Sequence, residues 1–327
     1  MTQSHLKATT AVVAALALPG LAHAQTTASD IRGLHAVLDG IYQQMLPLCG
    51  SLISVGQGIA GFAAIWFIAA RVWKHQARAE PIDLYPLLRP FAIGLAILLF
   101  PSFISLINGV LQPTVDGTNG LVQDSDQAIT VLLAQKDAAV KNSDFYKMYV
   151  GPDGNGDRDK WYQYTHPDDP NDTQEGIFGT IGNDIQFAMA RMNYNFRNSV
   201  KQWMSEVLQI LYEAAALCID TIRVFYLLVL AIIGPLVFGL SVFDGMHNVL
   251  VEWLRRYVNI FLWLPIANIF GSILGKIQQN MISLDINQVQ SGGDTFFSQT
   301  DTAYLIFLVI GIIGYLTVPK VANAIIR

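Results

Sequence analysis

Charged residues are scarce in this sequence of 327 residues. Asp, Glu, Lys and Arg make up 14% of it, whereas a soluble domain usually carries about 25%. Hydrophobic residues make up 52%, and the mean hydropathy is positive. This composition argues against an ordinary soluble domain and predicts a membrane protein. The net charge of −5 provides no general attraction for nucleic acid.

Sequence motifs that carry catalysis are also missing. Two cysteines, Cys49 and Cys218, are too few for a disulfide framework, and no cysteine or histidine pair has metal-ligand spacing. There is no phosphate-binding loop ending in Gly-Lys-Ser/Thr and no Gly-x-Ser-x-Gly elbow. His247 lies near Asp244, but no plausible nucleophile accompanies them. We therefore predict that the chain is not an enzyme and uses no metal and no cofactor.

The N-terminus has the pattern of a secretory signal peptide. A basic start precedes a short apolar stretch, and the Ala-His-Ala sequence at 22–24 is a small-x-small pattern of the kind that signal peptidase cleaves. We predict a signal peptide at 1–24 and a mature chain that begins near Gln25. An uncleaved anchor is the alternative, although the apolar stretch is short for a full span.

Five uncharged stretches are each close to the roughly 20 residues that a helix needs to cross a bilayer. They are Ser51–Ala70, Phe91–Leu111, Val224–Phe243, Tyr257–Gly275 and Thr302–Pro319. One side of these spans carries eight basic residues, namely Arg71, Lys74, Arg78, Arg89, Arg255, Arg256, Lys320 and Arg327. The short segments on the other side carry two, Arg32 and Lys276. Because basic loops stay in the cytoplasm, this count predicts a bacterial inner-membrane protein with a periplasmic mature N-terminus and a cytoplasmic C-terminus.

The predicted fold is an all-α polytopic membrane protein with about five transmembrane helices and a mostly helical periplasmic insertion between spans two and three. An N-terminal segment and two transmembrane helices occupy 25–111. A periplasmic domain at 112–206 ends in an amphipathic helix, and a C-terminal membrane domain with three transmembrane helices occupies 207–327. The periplasmic domain holds 14 acidic and 8 basic residues, a balance that would repel a nucleic-acid strand.

The amphipathic helix begins near Asp184. Apolar residues advance along one of its faces in steps of three and four: Ile185, Met189, Met192, Phe196, Val200, Trp203, Val207 and Ile210. We expect this stripe to face partner chains or the outer loop. Farther along, Asp220 and Arg223 are expected to form a solvated ion pair at the outer membrane surface, and a functional intramembrane pair is the alternative.

Part of the periplasmic domain has an incomplete calcium-loop pattern, with Asp or Asn at 153, 155, 157 and 159. Arg158 stands where such a loop needs glycine, and Tyr164 stands where it needs a bidentate Glu. A turn built from Asx side chains is therefore favoured over a calcium site.

Small residues and prolines mark several spans. Small residues recur every four positions, which lets helix backbones approach closely, at Gly56, Ala60 and Ala64 and again at Gly271 and Gly275. Ordinary glycine enrichment of membrane helices explains this spacing equally well. Proline kinks a helix, and prolines lie near the middles of three spans, at Pro101, Pro235 and Pro265. Kinked spans suit a cavity or a moving bundle, and a rigid scaffold also contains them.

The hairpin made by the third and fourth spans carries three distinctive segments. They are Ile232-Ile233-Gly234-Pro235-Leu236, Trp253-Leu254-Arg255-Arg256-Tyr257-Val258-Asn259 and Leu262-Trp263-Leu264-Pro265-Ile266-Ala267-Asn268. Across about Leu227 to Leu274, the chain resembles the conjugative-transposon TraJ family, which is related to the TrbL-type polytopic subunits of type IV secretion systems. The rest of the chain resembles the family more loosely.

The resemblance implies a non-enzymatic inner-membrane subunit that helps to assemble or gate the route for DNA or DNA–protein transfer. Separate subunits would supply the ATPases, nucleic acid would be transient cargo, and several copies would form a homo-oligomer. Gly234 and Pro235 would break a span, and the small residues, with Trp263 and Asn268, would pack between helices or subunits. A cytoplasmic-face anchor, or a docking site for an ATPase, would comprise Trp253, Arg255, Arg256 and Tyr257. A stand-alone transporter or permease for a small solute is the alternative function.

Overall fold

The computed structural model describes residues 31–326 except 32, 80, 82–84, 169–176, 247 and 293–298. All regular structure among these residues is helical. The predicted signal peptide at 1–24 lies outside the described residues, as do Arg32, His247 and Arg327.

The described part of the chain forms a succession of long α-helices. The first, α1, covers 33–45, and a 3₁₀ helix at Leu46–Leu52 joins it to α2. A second 3₁₀ helix, Pro86–Leu88, precedes α3. The remaining bounds are α2 Ile53–Ala77, α3 Arg89–Leu98, α4 Phe100–Asn142, α5 Asp144–Tyr149, α6 Arg158–Thr165, α7 Ile177–Leu240, α8 Asn248–Phe261, α9 Trp263–Gln290 and α10 Gln299–Ile325.

Several of these helices are long and apolar enough to cross a membrane. Four qualify individually, within Gly33–Ala77, Gly179–Leu240, Asn248–Gln290 and Thr302–Ile325. The bent pair Pro86–Leu98 and Phe100–Asn142 adds a fifth if it is counted as one span. Each predicted span overlaps one of these segments, so the helices have the lengths and composition of a multi-pass membrane protein.

The second predicted span is not one straight helix. The chain turns by 77° between α3 and α4, and Pro101 is the second residue of α4 rather than the middle of a span. Pro101 has no N–H to donate to the carbonyl of Ile97, so the α3 ladder cannot continue through this point. A new helix starts at Phe100 because proline is tolerated in a first turn.

The connector of the hairpin is shorter than the sequence indicated. The helix α7 continues to Leu240, and α8 begins at Asn248, so only 241–247 lie between them. The segment from Glu252 to Tyr257 is therefore helical. The next interruption, at Leu262, precedes Pro265, which is the third residue of α9 and cannot donate to the carbonyl of Phe261.

The chain divides into two compact units. The described residues of the first unit come from Val122–Glu213 and Gly271–Ile313, and the second unit comprises Ile31–Leu121, Ala214–Phe270 and Gly314–Arg327. The sequence did not predict that residues from the C-terminal third would belong to the same unit as 122–213.

The first unit contains a small aromatic core. Met148, Trp161 and Tyr162 are buried together, and Tyr149 stacks on Tyr194 with ring centroids 4.9 Å apart. The two short helices that supply these side chains are capped at their N-termini. The Ser143 hydroxyl accepts from the N–H of Tyr146 in α5, and the Asp157 carboxylate accepts from the N–H of Lys160 in α6. The Asp157 carboxylate therefore serves as a helix cap.

In the second unit, four aromatic rings pack around the bend between α3 and α4. Phe100 lies 5.3 Å from Phe238 and 5.8 Å from Trp253, measured between ring centroids. Phe103 lies 5.5 Å from Phe238 in an edge-to-face arrangement. Such pairs are more favourable than their buried area alone implies, so the bend belongs to the hydrophobic core.

Candidate functional site

A buried group of ionisable side chains joins α1 to α7 in the second unit. The Asp220 carboxylate accepts from the Arg223 guanidinium at 2.9 Å and lies 2.7 Å from Nδ1 of His35. Asp220 is 2% exposed and Arg223 is 5% exposed. The guanidinium also lies over the Phe261 ring, 5.3 Å from its centroid.

This burial differs from the solvated surface pair that the sequence favoured for Asp220 and Arg223. The difference arises because α1 packs against this part of α7 and places His35 on the carboxylate. A buried charge is costly without a partner, and removing one member of a buried pair is strongly destabilising. The three side chains therefore clamp α1 to α7.

Three polar side chains form a second network beside this cluster. The hydroxyls of Tyr42 and Tyr257 lie 2.6 Å apart. The Asn108 amide donates to Tyr42 at 2.9 Å, and its carbonyl oxygen accepts from Tyr257 at 2.8 Å. Each group thus both donates and accepts within one closed triangle, which joins α1, α4 and α8.

A cavity of about 170 Å³ connects the two networks. Its polar lining includes Asp39, Gln43, Gln112 and Arg223, together with Tyr42 and Asn108. The Nε atom of Arg223 is buried without a hydrogen-bond partner among the described residues. The cavity can hold ordered water, because it is polar and larger than the roughly 30 Å³ that one water occupies.

The predicted anchor residues lie on two different faces of α8. Trp253 and Tyr257, one turn apart, point into the core and are 4% and 0% exposed. The Trp253 indole donates to the carbonyl of Leu230 at 3.0 Å. Arg255 and Arg256 point outward, and both donate to the Glu252 carboxylate. The aromatic pair thus holds the bundle together, and the arginine pair is the part that is free to meet a ligand.

A groove of about 680 Å³ lies beside these arginines. It is lined by Tyr226, Val229 and Leu230 of α7, by Glu252, Arg255, Arg256, Asn259 and Ile260 of α8, and by Trp263, Asn323 and Ile326. Its mouth is charged and much of its wall is apolar.

Gly234 and Pro235 do not end a helix, although the sequence predicted a span break there. The helix α7 runs through both residues. Gly234 instead provides clearance, because a Cβ atom at this position would lie 2.0 Å from the Phe100 ring. A Cβ atom at Gly56 of α2 would lie 2.5 Å from the carbonyl oxygen of Pro235, so α2 also packs closely here.

The small residues of α2 are only partly in register with its buried face. That face consists of Gly56, Ala60, Ala63 and Phe67. Ala64 is only partly buried, because a strict step of four drifts around a helix that has 3.6 residues per turn.

In the first unit, a Cβ atom at Gly275 would lie 2.9 Å from that of Ser125, and Gly271 is buried.

Trp263 and Asn268 bond within the second unit. The Trp263 indole donates to Oδ1 of Asn259 at 3.3 Å. The Asn268 amide donates to Oδ1 of Asn119 at 2.6 Å, which ties α9 to α4.

Three residues of the polar networks were missed by sequence reasoning: His35, Tyr42 and Asn108. Two signals could have found them. His35, Asp39 and Tyr42 are spaced by four and three, which places them on one helix face. Asn108 is a polar residue within a predicted span, a position that usually faces the bundle interior. Among the described residues, no three His, Cys, Asp or Glu side chains are grouped as metal ligands.

Comparison with known protein families gives a match over most of the chain. A family model described as homologues of TraJ from Bacteroides conjugative transposon matches residues 29–327. Neither a curated protein nor a solved structure matches the chain.

Proposed function

The chain belongs to the family of homologues of TraJ from Bacteroides conjugative transposon, and from this premise we propose that it is a non-enzymatic inner-membrane subunit of a conjugative type IV secretion system. Its role is to form part of the channel or scaffold through which DNA or a DNA–protein complex leaves the cell. The match across residues 29–327 carries this proposal. Separate subunits supply the ATPase activity, and nucleic acid is a transient cargo.

The geometry of the second unit supports a cytoplasmic position for its basic end. Arg71, at the end of α2, lies 3.9 Å from Asp244 in the hairpin connector. Arg89, at the start of α3, donates to the carbonyl of Ser241 at 3.0 Å in the same connector. Basic residues of α2 and α3 thus both contact the hairpin connector, as expected if this end of the bundle is retained in the cytoplasm.

The apolar stripe of α7 supports assembly of several copies. Exposed fractions of 56% at Ile185, 61% at Met189, 67% at Met192 and Phe196, and 64% at Trp203 leave it open to solvent. The 64 residues of α7 span roughly 95 Å, about three times the hydrocarbon thickness of a bilayer, so lipid cannot cover the whole helix. A contiguous exposed apolar stripe of this kind marks a surface for protein association.

Deletion of the gene in its native host, scored for DNA transfer to a recipient, tests the proposal. Transfer is expected to fall to background and to return when the wild-type chain is expressed in trans. Growth of the deletion strain serves as the control for general membrane damage. Undiminished transfer would contradict the proposal. Combined with solute flux from the purified chain in liposomes, that result would support the stand-alone permease instead.

A further inference from the structure

The groove beside Arg255 and Arg256 has chemistry that a protein conduit does not require. We propose that it binds an anionic phospholipid, with the two guanidinium groups on the headgroup phosphate and an acyl chain along the apolar wall. This proposal goes beyond the proposed function, because it requires only that the helices cross a membrane.

The charged mouth of the groove suits phosphate. The Arg255 side chain is 44% exposed and the Arg256 side chain is 68% exposed, and both donate to the Glu252 carboxylate. Each guanidinium carries five N–H donors in a planar fork that matches phosphate oxygens, so donors remain on both side chains. The ion pairs with Glu252 are partly exposed and hence weak, and a phosphate can compete with them. Two guanidinium groups and one carboxylate leave the mouth with one net positive charge.

The wall of the groove suits an acyl chain rather than a free anion. Val229, Leu230 and Ile260 line it with aliphatic side chains. Tyr226 and Trp263 meet edge to face, 5.9 Å apart, beside this wall, and such rings are typical of the membrane interface. Its helices are candidate spans, and basic pockets between membrane helices bind anionic headgroups.

The polar side chain at the floor of the groove is already hydrogen-bonded within the protein. Asn259 is 6% exposed. Its amide donates to the carbonyl of Ile326, and its oxygen accepts from the Trp263 indole, each at 3.3 Å. The floor therefore holds α8 to the end of α10 and offers no strong polar group to compete with the arginines.

Native mass spectrometry of the full chain in detergent tests this assignment. The chain is titrated with phosphatidylglycerol or with phosphatidylcholine, and the dissociation constant of the first bound lipid is measured. Phosphatidylglycerol is expected to bind more tightly. An Arg255→Gln/Arg256→Gln variant is expected to lose about tenfold in affinity for it, because it removes the two guanidinium groups that would bond the headgroup phosphate within the groove.

Matched variants separate this role from a purely structural one. Lys74→Gln/Arg78→Gln removes two exposed basic residues at the end of α2, outside the groove, and is expected to leave phosphatidylglycerol affinity unchanged. Glu252→Gln is expected to tighten binding, because it removes the competing carboxylate. Val229→Trp fills the wall without changing charge and is expected to weaken binding. If the arginine variant fails to fold by circular dichroism, the last two variants still decide the question.

Four results would overturn the proposal. The first is equal affinity for the two lipids, and the second is unchanged phosphatidylglycerol affinity in the arginine variant. The third is displacement of the lipid by inorganic phosphate at equal concentration, which would identify a free-anion site. The fourth is an arginine variant that keeps its lipid but loses a copurifying protein, which would identify a protein-docking site. None of these results depends on whether DNA transfer requires the chain.

Discussion

At the scale of single residues, the second unit pairs its buried charges and polar groups with partners on the same helix and on neighbouring helices. Asp220 accepts from Arg223 within α7 and from His35 of α1. The hydroxyl of Tyr257 is bonded by Tyr42 and Asn108 in the same way. Since both networks draw on α1, loss of one side chain leaves buried polar groups on another helix.

Asp220→Leu tests the ion cluster. It leaves the Arg223 guanidinium buried without its carboxylate, so the free energy of unfolding is expected to fall by about 3–5 kcal/mol. Asp220→Leu with Arg223→Leu removes both charges and is expected to cost less than the single change. Unfolding in detergent, followed by circular dichroism during SDS titration, measures both values.

Asp137→Leu is the matched control for that experiment. Asp137 pairs with Lys141 on the surface, where both side chains are more than half exposed. Its loss is expected to change stability by less than about 1 kcal/mol. If Asp220→Leu proved as mild as this control, the cluster would not clamp α1 to α7.

Tyr257→Phe tests the second network. The substitution leaves the Tyr42 hydroxyl and the Asn108 amide each short of one partner, at an expected cost of about 1–3 kcal/mol. Tyr226→Phe is the control, because the Tyr226 hydroxyl bonds to none of the described residues and the side chain is 45% exposed. Equal melting temperatures for the two variants would contradict the closed triangle.

Sequence reasoning could identify Asp220 and Arg223 as a pair but not as a buried one. Their spacing of three is local and visible in the sequence. Their burial depends on His35, which lies 185 positions away from Asp220. No periodicity reports a contact across that separation, so the exposed alternative was favoured.

At the scale of elements, two of the three span prolines lie at the starts of helices, and the third lies inside a helix at a close packing contact. Pro101 and Pro265 lie in the first turns of α4 and α9, where a missing N–H is harmless. Pro235 lies inside α7, where α2 packs against its carbonyl at Gly56.

Gly234→Ala tests the clearance that α7 provides for Phe100. The added methyl group would clash with the ring at 2.0 Å, and the free energy of unfolding is expected to fall by about 1–3 kcal/mol. Phe100→Leu replaces the ring with a smaller side chain and makes room for the added methyl group. The double variant is therefore expected to lose less stability than the sum of the two single changes.

The control for this change is Gly58→Ala in α2, where a Cβ atom meets nothing within 4 Å. It is expected to stabilise the chain by up to about 1 kcal/mol, because alanine favours the helix. If the two alanine variants had the same thermal stability, the close approach of Gly234 to the Phe100 ring would be contradicted.

The helices themselves were predictable, and the bend was not. Uncharged stretches near 20 residues long indicate spans without knowledge of neighbours. The bend of 77° at Leu99 also depends on Phe100 entering the aromatic core against Phe238 and Gly234. These residues lie more than a hundred positions later, so the sequence around Pro101 could indicate a kink but not its angle.

At the scale of the whole molecule, the exposed stripe on α7 is a surface that a partner could bury, and a second copy is the proposed partner. Phe196→Glu is expected to shift the detergent-solubilised protein to a smaller species, since a charge would be buried in the interface. Size-exclusion chromatography with light scattering measures the mass. Asn195→Glu, about 100° around the helix, is the control and is expected to leave the mass unchanged. A smaller species in both variants, or in neither, would contradict assembly through this stripe.

The spacing of Asp220 and Arg223 also has a consequence for biosynthesis. The two residues leave the ribosome only three positions apart, so the carboxylate meets its guanidinium as soon as one turn of α7 forms. A single charge that a translocon passes into the bilayer centre costs about 2.5–3.5 kcal/mol, and charges beside a span, as at Asp220 and Arg223, meet part of this cost. A pair that neutralises itself in a single turn lowers this barrier before any tertiary contact exists. α1 has by then been synthesised, so His35 can join the pair once α7 is inserted.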